Sequence, residues 1–572
     1  MENFSLLYPH DKEPSLLTLC DESCKDLSLD LICETLSESE YEQNVIKRMM
    51  RRMESDPEVI RYRCDVFEDI LKYPELRGRI KELLEQLDYL KELEKSAKDN
   101  TAAPIWQLIN RLQELDVYVN CISGINEALS DNPINSEGLK EMKDYVSSVY
   151  NESGFEHLNE DIKEIMGEVG RIHSVSLGVN LDNHMRPVEV GIVSINDTKF
   201  SRPGLLDKFL DFASRKSQIH GGTSFDGMTK IHTVGKVAGD DPLMSTLSRV
   251  VTEMLGSTVK QIKNKLSRYV NISGYSLTKL IPELIFYIRW AEFCTRLMEK
   301  GLPMSKPEIL DTDKRYMKAQ ELYNLKLGMQ VLAGNEMEII CNDFEFSREH
   351  GIYIMTGPNR GGKTTFTQAV GIIFLMAQHG IFVPAKSLTM SPCDNIYTHF
   401  PADENSTVNL GRLGEESKRL SEIFTAATDK SVLLFNESLA TTSFAEGLYI
   451  AKDVVRALRY LGARTIFNTH MHELAMQLEV MNSYEGDTNV ASLITGIHEG
   501  TRSYKVFLAP PEGVSYARDI AEKYGVTFDQ LKVSVEKTNS VQTTVIEDEE
   551  PAESKSENKK TERRRSSRSK KQ

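Results

Sequence analysis

Apolar residues at Leu76, Ile80, Leu83, Leu87 and Leu90 recur in alternating steps of four and three, the spacing of a seam along one helix face. Charged residues such as Glu82, Glu85, Lys91 and Glu92 fall off that face. Leu255, Val259, Ile262, Leu266 and Tyr269 repeat the same steps far downstream. Two readings follow: the segments pair as long antiparallel levers, or each is an amphipathic core helix. Between them, Ser174, Val175, Leu177 and Val179, and then Val188, Val190, Ile192 and Val193, alternate as strands do, with turn-forming Asn, Asp and Pro between the two runs. A stretch rich in Gly and basic residues follows, from Lys199 to Lys236. From about Tyr323 onward, short apolar strands alternate with helices, the pattern of a parallel α/β sheet. Residues from about Asn539 to Gln572 hold almost no large apolar side chains and are expected to be disordered. The expected divisions are therefore 1–45, 46–172, 173–240, 241–322, 323–538 and 539–572.

At 572 residues the chain is too long for one hydrophobic core, and 40% apolar with 27% charged residues is a soluble globular balance. The longest apolar runs, such as 284–288 and 370–376, fall short of the roughly 20 residues that cross a bilayer. No membrane partner is expected. The N-terminus lacks a basic region followed by an apolar core, so a cytoplasmic protein is expected. Eight scattered cysteines without a C-x-x-C pair read as buried, reduced thiols. A net charge of −16 means that any nucleic-acid contact must be local. The sign is uneven, with nine Lys or Arg against two Glu from Lys555 to the end.

The chemistry concentrates after the apolar run Ile352–Thr356, where Gly357, Pro358, Asn359, Arg360, Gly361, Gly362, Lys363 and Thr364 precede a helical run from Thr365 to Gln378. This spacing is G-x-x-x-x-G-K-[ST] in its strand, loop and helix setting: glycines let amide N–H groups converge on phosphate oxygens, and the helix start adds its positive dipole end. Lys363 is the residue expected to reach the β- and γ-phosphates, and Thr364 to offer a hydroxyl to Mg²⁺. A second apolar run, Val432 to Phe435, leads into Asn436 and Glu437. Glu437 is the candidate for positioning or deprotonating water, and Asn436 for holding a Mg²⁺-bound water without the charge of an Asp. A third run, Arg464 to Asn468, ends at Thr469 and His470, which places a histidine where it can sense the γ-phosphate. His470 and His472 alone make a poor zinc site.

The loop from Gly357 to Thr364, with its preceding Thr356, resembles the MutS family of DNA mismatch repair ATPases. Gly380–Ala385, Asp394–Thr398, Asn436 and Glu437 with Thr442 and Ser443, and Thr469–Leu474 follow in that family's order; Asn342 and Asp343 upstream and Gly513–Ala517 downstream extend the likeness over roughly 340–530. The resemblance implies an α/β P-loop ATPase domain of the ABC type, a parallel sheet with flanking helices. Preceding it would be a mostly α-helical core and lever domain carrying a small β-containing clamp-like insertion. It further implies ATP and Mg²⁺ as ligands, with Gly357 through Thr365 and Asn436 around the nucleotide, Thr364 and Asn436 at the metal, and Glu437 and His470 in catalysis. Family ATPase domains dimerise through a signature segment, here Gly411–Glu416, whose expected serine is Gly411. Asn436 replaces the family's Asp, and Leu439–Thr441 replace Gly-Arg-Gly, which implies slow or altered hydrolysis. With fewer than 50 residues before the helical core, no mismatch-reading domain is expected.

Two functions are compatible with these residues. In the first, ATP switches a homodimeric clamp on DNA, bound through Arg186, Lys199, Arg202, Lys208, Lys230 and neighbours, with Lys260, Lys263, Lys265 and Arg268 extending the patch and 563–571 as a tethered anchor. In the second, the ATPase gates a protein scaffold and these charges are a solvated face. A transporter ATPase is disfavoured, because no Leu-Ser-Gly-Gly-Gln signature occurs.

Overall fold

The computed structural model describes residues 4–97, 104–169, 174–181, 183–184, 187–196, 198–199, 256–269, 275–358, 360–401, 412–440, 442–498, 501–510 and 524–533. Met1–Pro511 form one compact unit. Of the other, Glu512–Gln572, the described residues 524–533 contain a helical turn in which Thr527 Oγ1 donates to Gln530 Oε1 at 2.8 Å. Asn359, Gly411, Gly513–Ala517, most of the basic stretch and the C-terminal tail lie outside the described residues.

The N-terminal half is helical, and proline sets several of its starts. Pro57 occupies the first turn of Pro57–Lys72, where it lacks no needed hydrogen bond, and Asp56 caps that end by accepting from Glu58 N at 2.9 Å. Pro74–Ala97 buries all five seam residues, Leu76, Ile80, Leu83, Leu87 and Leu90. Their partner is not the distant lever candidate. The helix packs along its chain neighbour Pro104–Asp131, closely enough that a Cβ on Gly124 would lie 3.0 Å from Leu83 Cδ2. A short link makes this neighbour cheaper in loop entropy than one some 170 residues away. The second candidate, Gly256–Leu266, rests on Pro104–Asp131 instead, with Ile262 and Leu266 buried. Arg111 Nη2 and the Tyr269 hydroxyl fix its end, donating to Tyr269 O at 2.8 Å and Asp161 Oδ2 at 2.7 Å. Ile281–Glu299 is apolar nearly all round and forms the centre of the helical body, packed on Glu40–Met50, Pro57–Lys72 and Pro74–Ala97.

Strands β1 (Ser174–Leu181) and β2 (Pro187–Asn196) form the expected β piece, an antiparallel ribbon with Gly178 opposite Gly191. Beyond the helical body come β3 (Glu308–Ile309), β4 (Met317–Leu322), β5 (Asn342–Phe346), β6 (His350–Thr356), β7 (Ser387–Met390), β8 (Ile396–His399), β9 (Val432–Asn436), β10 (Arg464–Asn468), β11 (Asn489–His498) and β12 (Thr501–Leu508). Six of them form a sheet in the order β12-β11-β6-β10-β9-β8, parallel except for the antiparallel edge strand β12. The expected parallel sheet is thus accompanied by a second, four-stranded one, β3-β7-β4-β5. β3 and β4 precede residue 323, yet pair with strands that follow it. Among the described residues no helix is long and apolar enough to cross a membrane.

Lys363–Gln378 lies almost wholly buried between sheet and helical body. A Cβ on Gly371 would come 2.6 Å from Leu27 and 2.7 Å from Leu434, so this helix passes in direct contact with the N-terminal segment on one side and β9 on the other. One apolar core therefore runs unbroken from Leu6 through the helical body to Val506, while a second, around Leu433, Val455, Phe467 and Leu474, fills the opposite face of the sheet.

Candidate nucleotide-binding site

β6 lies between β11 and β10, so its carboxyl end opens into the crevice at the middle of a parallel sheet, where ligands gather in such folds. The turn that leaves it needs glycine for two reasons. Gly357 has φ +140° and Gly362 φ +88°; in addition, a Cβ on Gly357 would sit 2.2 Å from Thr495 Oγ1, and one on Gly361 2.8 Å from the same atom. Arg360 adopts φ +60° without being glycine, which stores strain in the loop. Lys363 folds back over the turn, and its Nζ donates to Gly357 O and Pro358 O, both at 3.1 Å. Burial pulls its ammonium below the ordinary lysine range, while the Glu437 carboxylate pushes it back up.

Neighbouring strand ends supply the other polar groups. Thr364 Oγ1 donates to Asn436 Oδ1 at 2.8 Å, and Asn468 Nδ2 donates to the same oxygen. Asn468 Oδ1 is buried without a partner. Just past β9, Glu437 turns into the left-handed region at φ +53°, with its N–H donating to Asn468 O at 2.8 Å. Its Oε1 lies 2.7 Å from His470 Nε2. That bond holds the Glu437 carboxyl below its ordinary range.

These groups border a cavity of about 500 Å³, within the range of small-molecule sites. Arg360 to Thr365 and Glu437 line one part; Leu322, Tyr323, Leu327 and Phe366 give it an apolar wall. Gly357 and Pro358 contribute carbonyls to Lys363 rather than lining, Asn436 lies behind Thr364, and His470 connects through Glu437. His472 faces no metal cluster: among the described residues, no group of three or more His, Cys, Asp or Glu is placed to hold an ion.

Four further participants carry no motif of their own. Asn468 joins Asn436, Thr495 presses on two loop glycines, and Tyr504, at φ +54°, lines the cavity with its ring 3.2 Å from where a Gly362 Cβ would be. His399 Nδ1 is 2.7 Å from Ser438 Oγ and its Nε2 3.3 Å from Glu416 O, tying the turn after Glu437 to the helix Arg412–Ala426. Of these, only Asn468 had a signal in the sequence, as a polar residue ending an apolar strand just as Asn436 does.

A parallel sheet whose central strand feeds a glycine turn and a buried helix, all carried on a helical body, is a mixed α/β class of protein with a ligand cavity at the strand ends. Residues 353–525 match the family model for MutS domain V, and residues 55–300 match that for the MutS2 N-terminal domain. Among similar proteins, the DNA mismatch repair protein MutS of Chlorobium chlorochromatii is 31% identical over 204 residues, 36% of this chain and 23% of that protein. Its namesake from Clostridium kluyveri is 29% identical over 250 residues, 42% of this chain and 27% of the relative, and that from Synechocystis is 39% identical over 139 residues, 24% and 16%. The matched part thus spans about a quarter or less of these relatives. The chain belongs to the MutS family.

Proposed function

We propose that this chain binds ATP with Mg²⁺ at the turn Gly357–Thr364, hydrolyses it slowly, and uses nucleotide state to switch a homodimeric clamp on DNA in repair or recombination. The observation that carries the proposal is the meeting, around one cavity, of the glycine turn, Lys363, the Thr364–Asn436 bridge and the Glu437–His470 pair. The residues fit the ligands. A buried lysine with a lowered pKa gains from an anion beside it. Thr364 Oγ1 and Asn436 Oδ1, 2.8 Å apart, are neutral oxygens suited to a hard cation that keeps much of its water. Mg²⁺, when bound, neutralises charge on the phosphates. Glu437, hydrogen-bonded to His470, accepts a hydrogen bond or proton from water, and His470 orients that carboxylate. With an amide at 436, the metal-side oxygens carry no charge, which is the basis for expecting slow turnover.

The DNA part rests on the relatives' name and on local charge. Lys260 and Lys263 are exposed without ion-pair partners among the described residues, whereas Lys265 is held by Glu164 at 2.5 Å and Asp161 at 3.6 Å. The test is filter binding of duplex and branched DNA at two salt concentrations, with and without ATP, alongside single-turnover hydrolysis by wild type and Glu437→Ala. Nucleotide-responsive, salt-sensitive retention is expected, with Glu437→Ala binding ATP but hydrolysing it at least about 100-fold more slowly. Negligible retention at low salt, whatever the nucleotide, leaves the scaffold reading instead; equal turnover in the two proteins removes Glu437 from its role.

A further inference from the structure

The N-terminal segment, Glu40–Met50, Pro57–Lys72 and the start of Ile281–Glu299 border a second cavity, of about 580 Å³. Lys12, Arg48, Arg52, Arg63 and Lys279 line it against a single carboxylate, Glu283, in a chain of net charge −16. Glu283 is already engaged, accepting from Ser5 Oγ at 2.8 Å and Leu6 N at 2.6 Å. Burial pushes its carboxyl above the ordinary range, against the hydrogen bonds from Ser5 and Leu6.

The cations play different parts. Lys12 is committed to Asp56 and Glu58, at 2.9 and 2.8 Å. Arg63 is 3% exposed, donates from Nε to Leu7 O at 2.9 Å, lies 3.6 Å from Glu54 and stacks 4.5 Å over the Tyr8 ring. Arg48 and Arg52 are exposed and have no ion-pair partner among the described residues. A basic residue in the last turn of a helix is an ordinary complement to its dipole, and this accounts for Arg48 in Glu40–Met50. It does not account for Arg52, beyond that helix, and Arg63, from another, lining the same cavity. Planar guanidinium groups match phosphate oxygens in pairs, and Pro9, Pro14 and Phe286 add apolar wall. The volume suits a small molecule rather than a polymer.

We propose that this cavity binds a small phosphate-bearing ligand, with Arg48 and Arg52 pairing its phosphates above a floor set by Arg63. The proposal does not depend on the nucleotide reading of the glycine turn. Its test is titration calorimetry on the full chain carrying Lys363→Ala, so that the first cavity contributes least, with inorganic pyrophosphate, ADP and a short DNA duplex as separate probes. Pyrophosphate is expected to bind, and Arg48→Glu with Arg52→Glu to weaken it at least tenfold at an unchanged unfolding midpoint, since both side chains are exposed. Tighter binding of ADP than of pyrophosphate, lost in the same double variant, supports the site and identifies the ligand as a nucleotide; equal affinities identify a free polyphosphate. No binding of either phosphate probe at millimolar concentration, or affinity indifferent to the double variant, overturns the proposal. So does a response confined to the duplex, which would make these arginines a macromolecular surface.

Discussion

The two ends of the helix Lys363–Gln378 are built on opposite principles. At its start, Arg360 adopts a strained conformation, Lys363 hydrogen-bonds, among the described residues, to backbone carbonyls of its own loop, and a cavity opens beside it. At its finish, the side chains of Gln378 and His379 are tied to backbone groups of the helical body and of the segment between β7 and β8. Gln378 Nε2 donates to Glu54 O at 2.5 Å and Cys393 O at 2.7 Å, and His379 Nε2 lies 3.0 Å from Met49 O and 2.9 Å from Arg52 O. Gly380, at φ +75°, is pressed against the Arg63 backbone. The difference teaches where change can occur: a strained start with few side-chain hydrogen bonds can respond to a ligand, while a finish bonded to the carbonyls of Glu54, Met49 and Arg52 anchors the helix, even though His379 also lines the second cavity.

That contrast can be broken first at the anchor. Gly380→Ala places a Cβ 2.3 Å from Arg63 Cβ in a left-handed conformation, and should cost about 3 kcal/mol from strain and overpacking together, read as a lower denaturation midpoint. A loss under about 0.5 kcal/mol would mean that the junction is loose. Acid sharpens the contrast next. Burial, aided by Arg63, pushes the His379 imidazole down to about 4, and burial does the same to His399. The folded chain holds both neutral, so the unfolded chain takes up more protons below the ordinary value near 6.5. Stability present above pH 6.5 should therefore fall as the pH drops toward 4, by up to about 3 kcal/mol for each residue. His379→Asn should remove about half of that slope; an unchanged slope would contradict the anchor's role. The smallest expected effect is at the open end, where Asn436→Asp should lower the Mg²⁺ concentration needed for nucleotide binding a few-fold by restoring a charge beside Thr364. No change would show that the metal does not sense residue 436.

What could be read in advance follows the same division. The glycine turn and the ends of β9 and β10 were legible because their chemistry lies in contiguous residues, each motif carrying its own strand or helix. The seam from Leu76 to Leu90 showed which face is buried but not against what, since a heptad specifies a surface and no partner; loop entropy chose Pro104–Asp131. The four-stranded sheet was hidden because β3 has two residues and β4 pairs across long intervals of chain. Thr495 and Tyr504 reach the loop from β11 and β12, and His399 reaches the turn after Glu437 from β8, so no local spacing announced them.

The central claim is that the turn from Gly357 to Thr364 holds a triphosphate, and calorimetric titration of Mg·ATP into the full chain tests it most directly. Wild type should bind Mg·ATP, and Lys363→Ala should weaken that binding at least about 100-fold, as expected when a charged partner is removed from a buried anion. Absence of binding to wild type, or equal affinity in the two proteins, would contradict the account.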